Sequence, residues 1–140
     1  MRSINRENNA YTSKAEIKMG KKVIVADDRA SWRGIYANAI KGTFPTVQVD
    51  QVETGTDLVA RVLQGDYSLV ISDNDMEGKN DGLEALKRIR ESGSIIPFYL
   101  VCSEDYVVTR NAMSCGANGF YDKINFDSDE VVKDIARYLR

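Results

Sequence analysis

The sequence predicts an open parallel α/β sheet with helices on both faces. Three observations lead there. Short apolar runs of strand length alternate with segments that carry apolar residues at helical spacing. Most of the strand-like runs are continuously apolar, as strands covered on both faces are. The chain has 140 residues, the size of a single such domain.

Residues 1–20 are polar and aperiodic and are expected to form a flexible tail, leaving 21–140 as the domain. The run VIVA (23–26) is the first strand. Trp32, Ile35, Tyr36, Ala39 and Ile40 then recur at i, i+3, i+4, i+7 and i+8, a helix face. Thr46 to Val52 alternates as a second strand. Thr56 is a candidate cap for a helix carrying Leu58, Val59, Val62 and Leu63, which Gly65-Asp66 ends. Leu69 to Ser72 is a third strand, followed by a long loop and a helix with Leu83, Leu86 and Ile89. Pro97 opens the strand FYLVC, and a helix is expected over 105–114. Ala117 to Tyr121 is a fifth strand. Val131, Val132, Ile135, Ala136 and Leu139 mark a last amphipathic helix.

Composition narrows the chemistry. Apolar residues make up 43% and charged residues 29%, as in a globular protein. The net charge of −2 offers no basic surplus for nucleic acid or an anionic membrane. No apolar run approaches about 18 residues, and the first residues lack an apolar signal core, so a cytoplasmic protein is expected. The chain has no histidine, which excludes a Ser-His-Asp triad, a histidine-based metal site and a phosphohistidine. Cys102 and Cys115 form no metal-binding spacing and read as reduced thiols in apolar surroundings.

In open parallel sheets the reactive crevice lies beyond the carboxyl ends of the strands. The strand-terminal residues are therefore the candidates: Asp27 and Asp28, Asp73, Cys102 and Ser103, and Lys123. Unneutralised carboxylates about 4 Å apart repel by roughly 4 kcal/mol at an effective dielectric near 20. A hard divalent cation removes that repulsion, and Mg²⁺ typically takes one or two carboxylates plus a phosphate. Lys123 offers a point charge suited to a phosphate oxygen. A carboxylate so placed is also a nucleophile toward phosphorus.

The ordered set VIVADD, LVISDNDM followed by DGLEALKRIR, IPFYLVCSED and GANGFYDK resembles the response-regulator receiver domain of two-component signalling. The resemblance covers roughly residues 21–140. It implies a flavodoxin-like sheet of five parallel strands in the order 2-1-3-4-5. It implies that Asp73 is the phosphoacceptor and that Asp27 and Asp28 hold Mg²⁺ (or Mn²⁺), Asp28 the more directly. The Asp75 main-chain carbonyl matches the remaining protein ligand. Lys123 matches the phosphate contact and Phe120 the aromatic switch position. The implied partners are a histidine kinase or histidine phosphotransfer protein and a downstream protein target. No direct nucleic acid contact, no membrane and a monomer or weak homodimer are expected. On this reading the chain is not an enzyme beyond catalysing its own phosphorylation and dephosphorylation.

The sequence also departs from the family pattern. Cys102 stands at the usual Thr or Ser switch position, and a thiol is a weak donor. Ser103 is next to it, but alternation points it to the other face. Ile124 follows Lys123 where proline, often cis, is usual. A non-proline cis bond costs about 2.5–4 kcal/mol, so trans is expected. The loop DNDMEGKNDG (73–82) lacks the usual proline and runs one residue longer. Asp75 and Glu104 resemble positions that tune dephosphorylation. These departures favour a second class of function, a pseudo-receiver that binds a partner without phosphorylation. A third, remote reading takes Asp73 and Asp75 as the DxD pair of a Mg²⁺-dependent phosphatase. That motif normally opens the first strand of a longer chain with a cap domain.

Overall fold

The computed structural model describes residues 20–103 and 106–140, with the side chain of Tyr106 outside that description. Expectations for the tail, apart from Gly20, and for Glu104 lie outside the described residues. Five strands form in chain order: β1 (Lys22–Ala26), β2 (Gln48–Val52), β3 (Leu69–Asp73), β4 (Phe98–Cys102) and β5 (Gly119–Asp122). Between and after them run α1 (Ala30–Thr43), α2 (Gly55–Gln64), α3 (Asp81–Glu91), α4 (Tyr106–Ser114) and α5 (Ser128–Leu139). All strand pairings are parallel, and the order is β2-β1-β3-β4-β5. This is the flavodoxin-like arrangement that the resemblance implies.

Burial explains the continuous apolar runs. In β1 Val23 to Ala26, and in β4 Phe98 to Cys102, every residue is buried, because helices cover both faces. One core joins Ile24, Val70, Phe98 and Leu100 to α2, α3 and α4 through Leu58, Leu86 and Ala112. The other joins Val23, Val25, Ile71 and Val101 to α1 and α5 through Tyr36, Ile40, Val131 and Ile135. Each fully buried aliphatic or aromatic side chain contributes about 1.5–3 kcal/mol. Among the described residues no helix is long and apolar enough to cross a membrane.

Several local expectations need correction. The cap of α2 is Thr54, whose hydroxyl accepts from the Asp57 N–H at 3.1 Å; Thr56 already lies in the first turn. Gly55, the first residue of the helix, is buried against the start of α3, where a Cβ would stand 3.0 Å from the Asp81 carbonyl oxygen. The buried face of α1 is Tyr36, Ala37 and Ile40, with Ile35 exposed, and Leu63 of α2 is exposed too. β2 starts at Gln48 rather than Thr46, and β5 runs Gly119–Asp122 rather than 117–121. On α4, Val107 is exposed and Val108 buried, so that helix has both an outer and an inner face.

The order of the strands places the site. After β1 the chain leaves for β2 on one side, then crosses back to β3 on the other. The crevice between β1 and β3 is therefore open at their carboxyl ends. Ala26 pairs with Ser72 in register, so Asp27 and Asp73 leave the sheet at neighbouring positions.

Gly82 fits here only as glycine: a Cβ would lie 2.2 Å from the Asp73 carbonyl oxygen. Gly34 in α1 has nothing within 4 Å of the same added atom. In urea unfolding, Gly82→Ala is expected to lose about 1–3 kcal/mol through overpacking. Gly34→Ala is expected to gain up to about 1 kcal/mol through helix propensity.

Candidate functional site

The carboxylates of Asp27, Asp28 and Asp73 each offer an oxygen, and the three lie within 4.8 Å of one another. Asp27 is fully buried, Asp73 is 4% exposed and Asp28 stands at the exposed mouth. Lys123, just beyond β5, reaches across β4 to this group. Its Nζ is 3.0 Å from Asp27 Oδ2 and 3.3 Å from Asp73 Oδ1. The indole ring of Trp32 lies against the same ammonium, with its centroid 4.9 Å away.

Backbone bonds set these positions. The Asp27 N–H donates to the Val52 carbonyl, the Asn74 N–H to Val101 and the Lys123 N–H to Cys102, each extending a strand ladder by one rung. Asp27 is then fixed through its side chain. Its Oδ1 accepts from the Arg29 N–H at 3.0 Å, which leads the chain into α1. Its Oδ2 accepts from the buried Tyr36 hydroxyl at 2.9 Å. The Arg33 guanidinium donates to the Asp27 carbonyl at 2.9 Å. Thus Asp27 both organises the start of a helix and belongs to the acidic group.

The loop after β3 is built around Asn74, which is buried. Its Oδ1 accepts from the Leu83 N–H at 3.1 Å, and its Nδ2 donates to Asn80 Oδ1 at 2.9 Å. Asn80 has φ of 65°, a left-handed conformation that asparagine tolerates. The Asp75 carboxylate accepts from the Asn80 N–H at 2.8 Å, and Asp81 accepts from the Gly78 N–H at 2.6 Å. Side-chain bonds therefore tie the loop across its width, and the Asp75 side chain takes part in them.

The other expected positions fall around the rim. Cys102 is buried in the core under α2, α3 and α4, while Ser103 is exposed. Phe120 is 43% exposed on β5, opposite Leu100. Ile124 is 73% exposed, and its N–H donates to Asp122 Oδ1 at 2.9 Å. The described residues contain no cis peptide bond, so the bond after Lys123 is trans.

Burial and neighbouring charge both act on Asp73. Burial first, and then the neighbouring Asp27 carboxylate, push its carboxyl up from 3.8 to about 6, although Lys123 opposes the rise. Burial and the charge of Asp27 likewise raise the Tyr36 hydroxyl, which stays a neutral donor. Tyr36, Arg33 and Asn74 are the site residues that sequence reasoning passed over. A signal existed for Tyr36: a tyrosine on the buried face of a helix needs a partner for its hydroxyl.

A family model, the response regulator receiver domain, matches residues 23–136. The protein-glutamate methylesterase/protein-glutamine glutaminase of Trichodesmium erythraeum is 29% identical over 105 residues, 73% of this chain. The match spans only 30% of the length of that relative. Among solved structures, the chemotaxis response regulator CheY4 of Vibrio cholerae superposes with a TM-score of 0.73 at 22% identity, covering 86% of this chain and 99% of that one. The response regulator TrrA of Thermotoga maritima, solved in complex with Mg²⁺ and BeF, gives 0.72 at 23% identity, covering 85% and 99%. At these identities the structural likeness establishes the fold.

The raised value of Asp73 fixes the sign of a pH effect. Above about pH 6 the folded protein carries a buried charge that the unfolded chain carries more easily, so Asp73 opposes folding. Below about pH 4 both states are protonated and the opposition vanishes. Without divalent metal, Asp73→Asn is expected to raise stability at pH 7–8 by about 1–3 kcal/mol. In urea titrations that gain should shrink steadily as pH falls from 6 to 4.

Proposed function

Because this chain belongs to the response regulator receiver domain family of two-component signalling, we propose that it is a phosphoacceptor whose acceptor is Asp73. Receiver domains are generally non-enzymatic signalling domains, bind Mg²⁺ at an acidic site and interact with histidine kinases and downstream targets. One observation carries the reading. Asp73 is buried at the end of β3, with an ammonium 3.3 Å away and two further carboxylates within 4.8 Å.

The donor set fits a hard cation. All three side chains present carboxylate oxygens, which suit Mg²⁺ or Mn²⁺ better than a soft metal. Asp27 is engaged at both oxygens, so Asp28 and the second oxygen of Asp73 would meet the ion most directly. The Asp75 main-chain carbonyl is the remaining ligand on this reading. When bound, the cation would neutralise the carboxylates and stabilise the transferring phosphoryl oxygens.

In the transfer, an Asp73 carboxylate oxygen forms the bond to phosphorus. The P–N bond of a partner's phosphohistidine breaks, and its electron pair stays on the imidazole. Lys123 follows the phosphoryl charge as it arrives, since its ammonium already rests beside the acceptor. Burial of the acceptor limits competing attack by water. The donor is a histidine kinase or histidine phosphotransfer protein, and output runs through contacts with a downstream protein in the cytoplasm.

A second reading, the pseudo-receiver, is favoured by one observation. Cys102 is buried, and on the family resemblance its thiol replaces the hydroxyl that would follow the phosphoryl group. Two measurements separate these readings. Fluoroberyllate with millimolar Mg²⁺ is expected to bind saturably, reported by Trp32 emission. Asp73→Asn should abolish binding and Lys123→Ala weaken it at least tenfold, about 1.4 kcal/mol. Wild-type emission that never changes supports the pseudo-receiver. Separately, Cys102→Thr should enlarge the amide NMR shifts near Phe120 on fluoroberyllate binding; identical shifts in both proteins rule out a role for the missing hydroxyl.

A further inference from the structure

Lys123 sits on a flexible four-carbon stem, and the residue after it, Ile124, is exposed. Its ammonium rests 3.0 Å from Asp27 and 3.3 Å from Asp73, and further side chains surround this pairing. Helix α1 carries two of them. Trp32 and Tyr36 are four residues apart, on one face of the helix. They pack on each other at 5.9 Å between ring centroids, and both pack on Phe126, at 5.5 and 5.6 Å.

Each reaches a different half of the Asp27–Lys123 pair. The Tyr36 hydroxyl donates to Asp27 Oδ2, the same oxygen that receives Lys123. With the Arg29 N–H on Oδ1, that carboxylate is held at both ends. The Trp32 ring then lies 4.9 Å from Lys123 Nζ, within the range for a cation–π contact. The lysine side chain is 17% exposed, so this contact forms largely away from water.

We infer that Trp32 and Tyr36 are positioning residues for phosphoryl recognition. They hold the Lys123 ammonium beside the acceptor before a phosphoryl group arrives. Trp32 acts through its ring face and Tyr36 through its hydroxyl on Asp27. The inference rests on the reading of Asp73 as acceptor and Lys123 as phosphate contact. It adds that side chains of α1, packed on Phe126, help to set where the lysine waits. A mere packing role would need neither the π face nor the hydroxyl, since leucine and phenylalanine fill comparable space.

Calorimetric titration with fluoroberyllate at saturating Mg²⁺ tests this on the full chain. Trp32→Leu should weaken fluoroberyllate roughly three- to tenfold, the range of a partly desolvated cation–π contact. Trp32→Phe, which keeps a ring, should fall between it and wild type. Tyr36→Phe should weaken it about threefold or more, as loss of a hydrogen bond to a charged group does. Mg²⁺ affinity, measured alone, should change less than twofold in Trp32→Leu. In a Lys123→Ala background, Trp32→Leu should have no further effect, because its action passes through that ammonium. Equal weakening in that background, or wild-type affinity in Trp32→Leu, overturns the inference while leaving the acceptor reading intact. Failure of wild type to bind fluoroberyllate overturns the acceptor reading and this inference with it.

Discussion

Two carboxylates leave neighbouring strands side by side, and one ammonium meets both. This arrangement is the constraint around which the crevice is organised. Asp27 and Asp73 are nearly or fully excluded from water, where like charges repel more strongly than on a surface. A single lysine cannot neutralise two charges, and the Asp73 carboxyl is raised by burial first and by the Asp27 charge second. Several neighbours relieve some part of the repulsion: the Tyr36 hydroxyl and Arg29 N–H on Asp27, and Lys123 between the two acids. A site with unmet negative charge is also one that favours a cation, which joins its resting electrostatics to the chemistry proposed for it.

The constraint reaches outward through the backbone. Gly82 lies against the Asp73 carbonyl, and its N–H donates to the Asn74 carbonyl at 2.8 Å, so the start of α3 is tied to the acceptor strand. The Asn74 side chain closes the same loop from inside. On the far side, the Lys123 N–H is bonded to the Cys102 carbonyl, which links the lysine to the strand bearing the unusual thiol. Cys102 thus has two separable properties. Its backbone helps to place Lys123, a task that any residue performs. Its side chain is packed in the core.

Much of the fold was legible before the structure because burial on two faces leaves a plain mark. Strands such as VIVA and FYLVC are unbroken apolar runs, and α5 presents its apolar residues at clean helical spacing. Where the mark is weaker, expectation slipped. Helix α1 carries apolar residues on more than one side, so its buried face was misjudged at Ile35 and Ala39. Thr54 and Thr56 look alike as caps, and the folded backbone places the Thr54 hydroxyl on the Asp57 N–H. The acids and the lysine were identified because strand order brings strand ends together whatever the loops do. Tyr36 and Asn74 were missed because their roles are hydrogen bonds between distant segments, which leave no period in the sequence.

By itself the sequence determined the elements, their alternation, and the residue types at each strand end. Periodicity and burial are properties of local chain, and the family motifs sit at those same ends. Only the tertiary structure decided how these groups are held. It showed Lys123 seated between Asp27 and Asp73 although Ile124, and not proline, follows it. It turned Asp75 into a loop support, and it brought Trp32 over an ammonium 91 positions further along the chain. These outcomes depend on distances across the sheet and on which oxygen is already occupied, and neither is encoded in residue type or spacing.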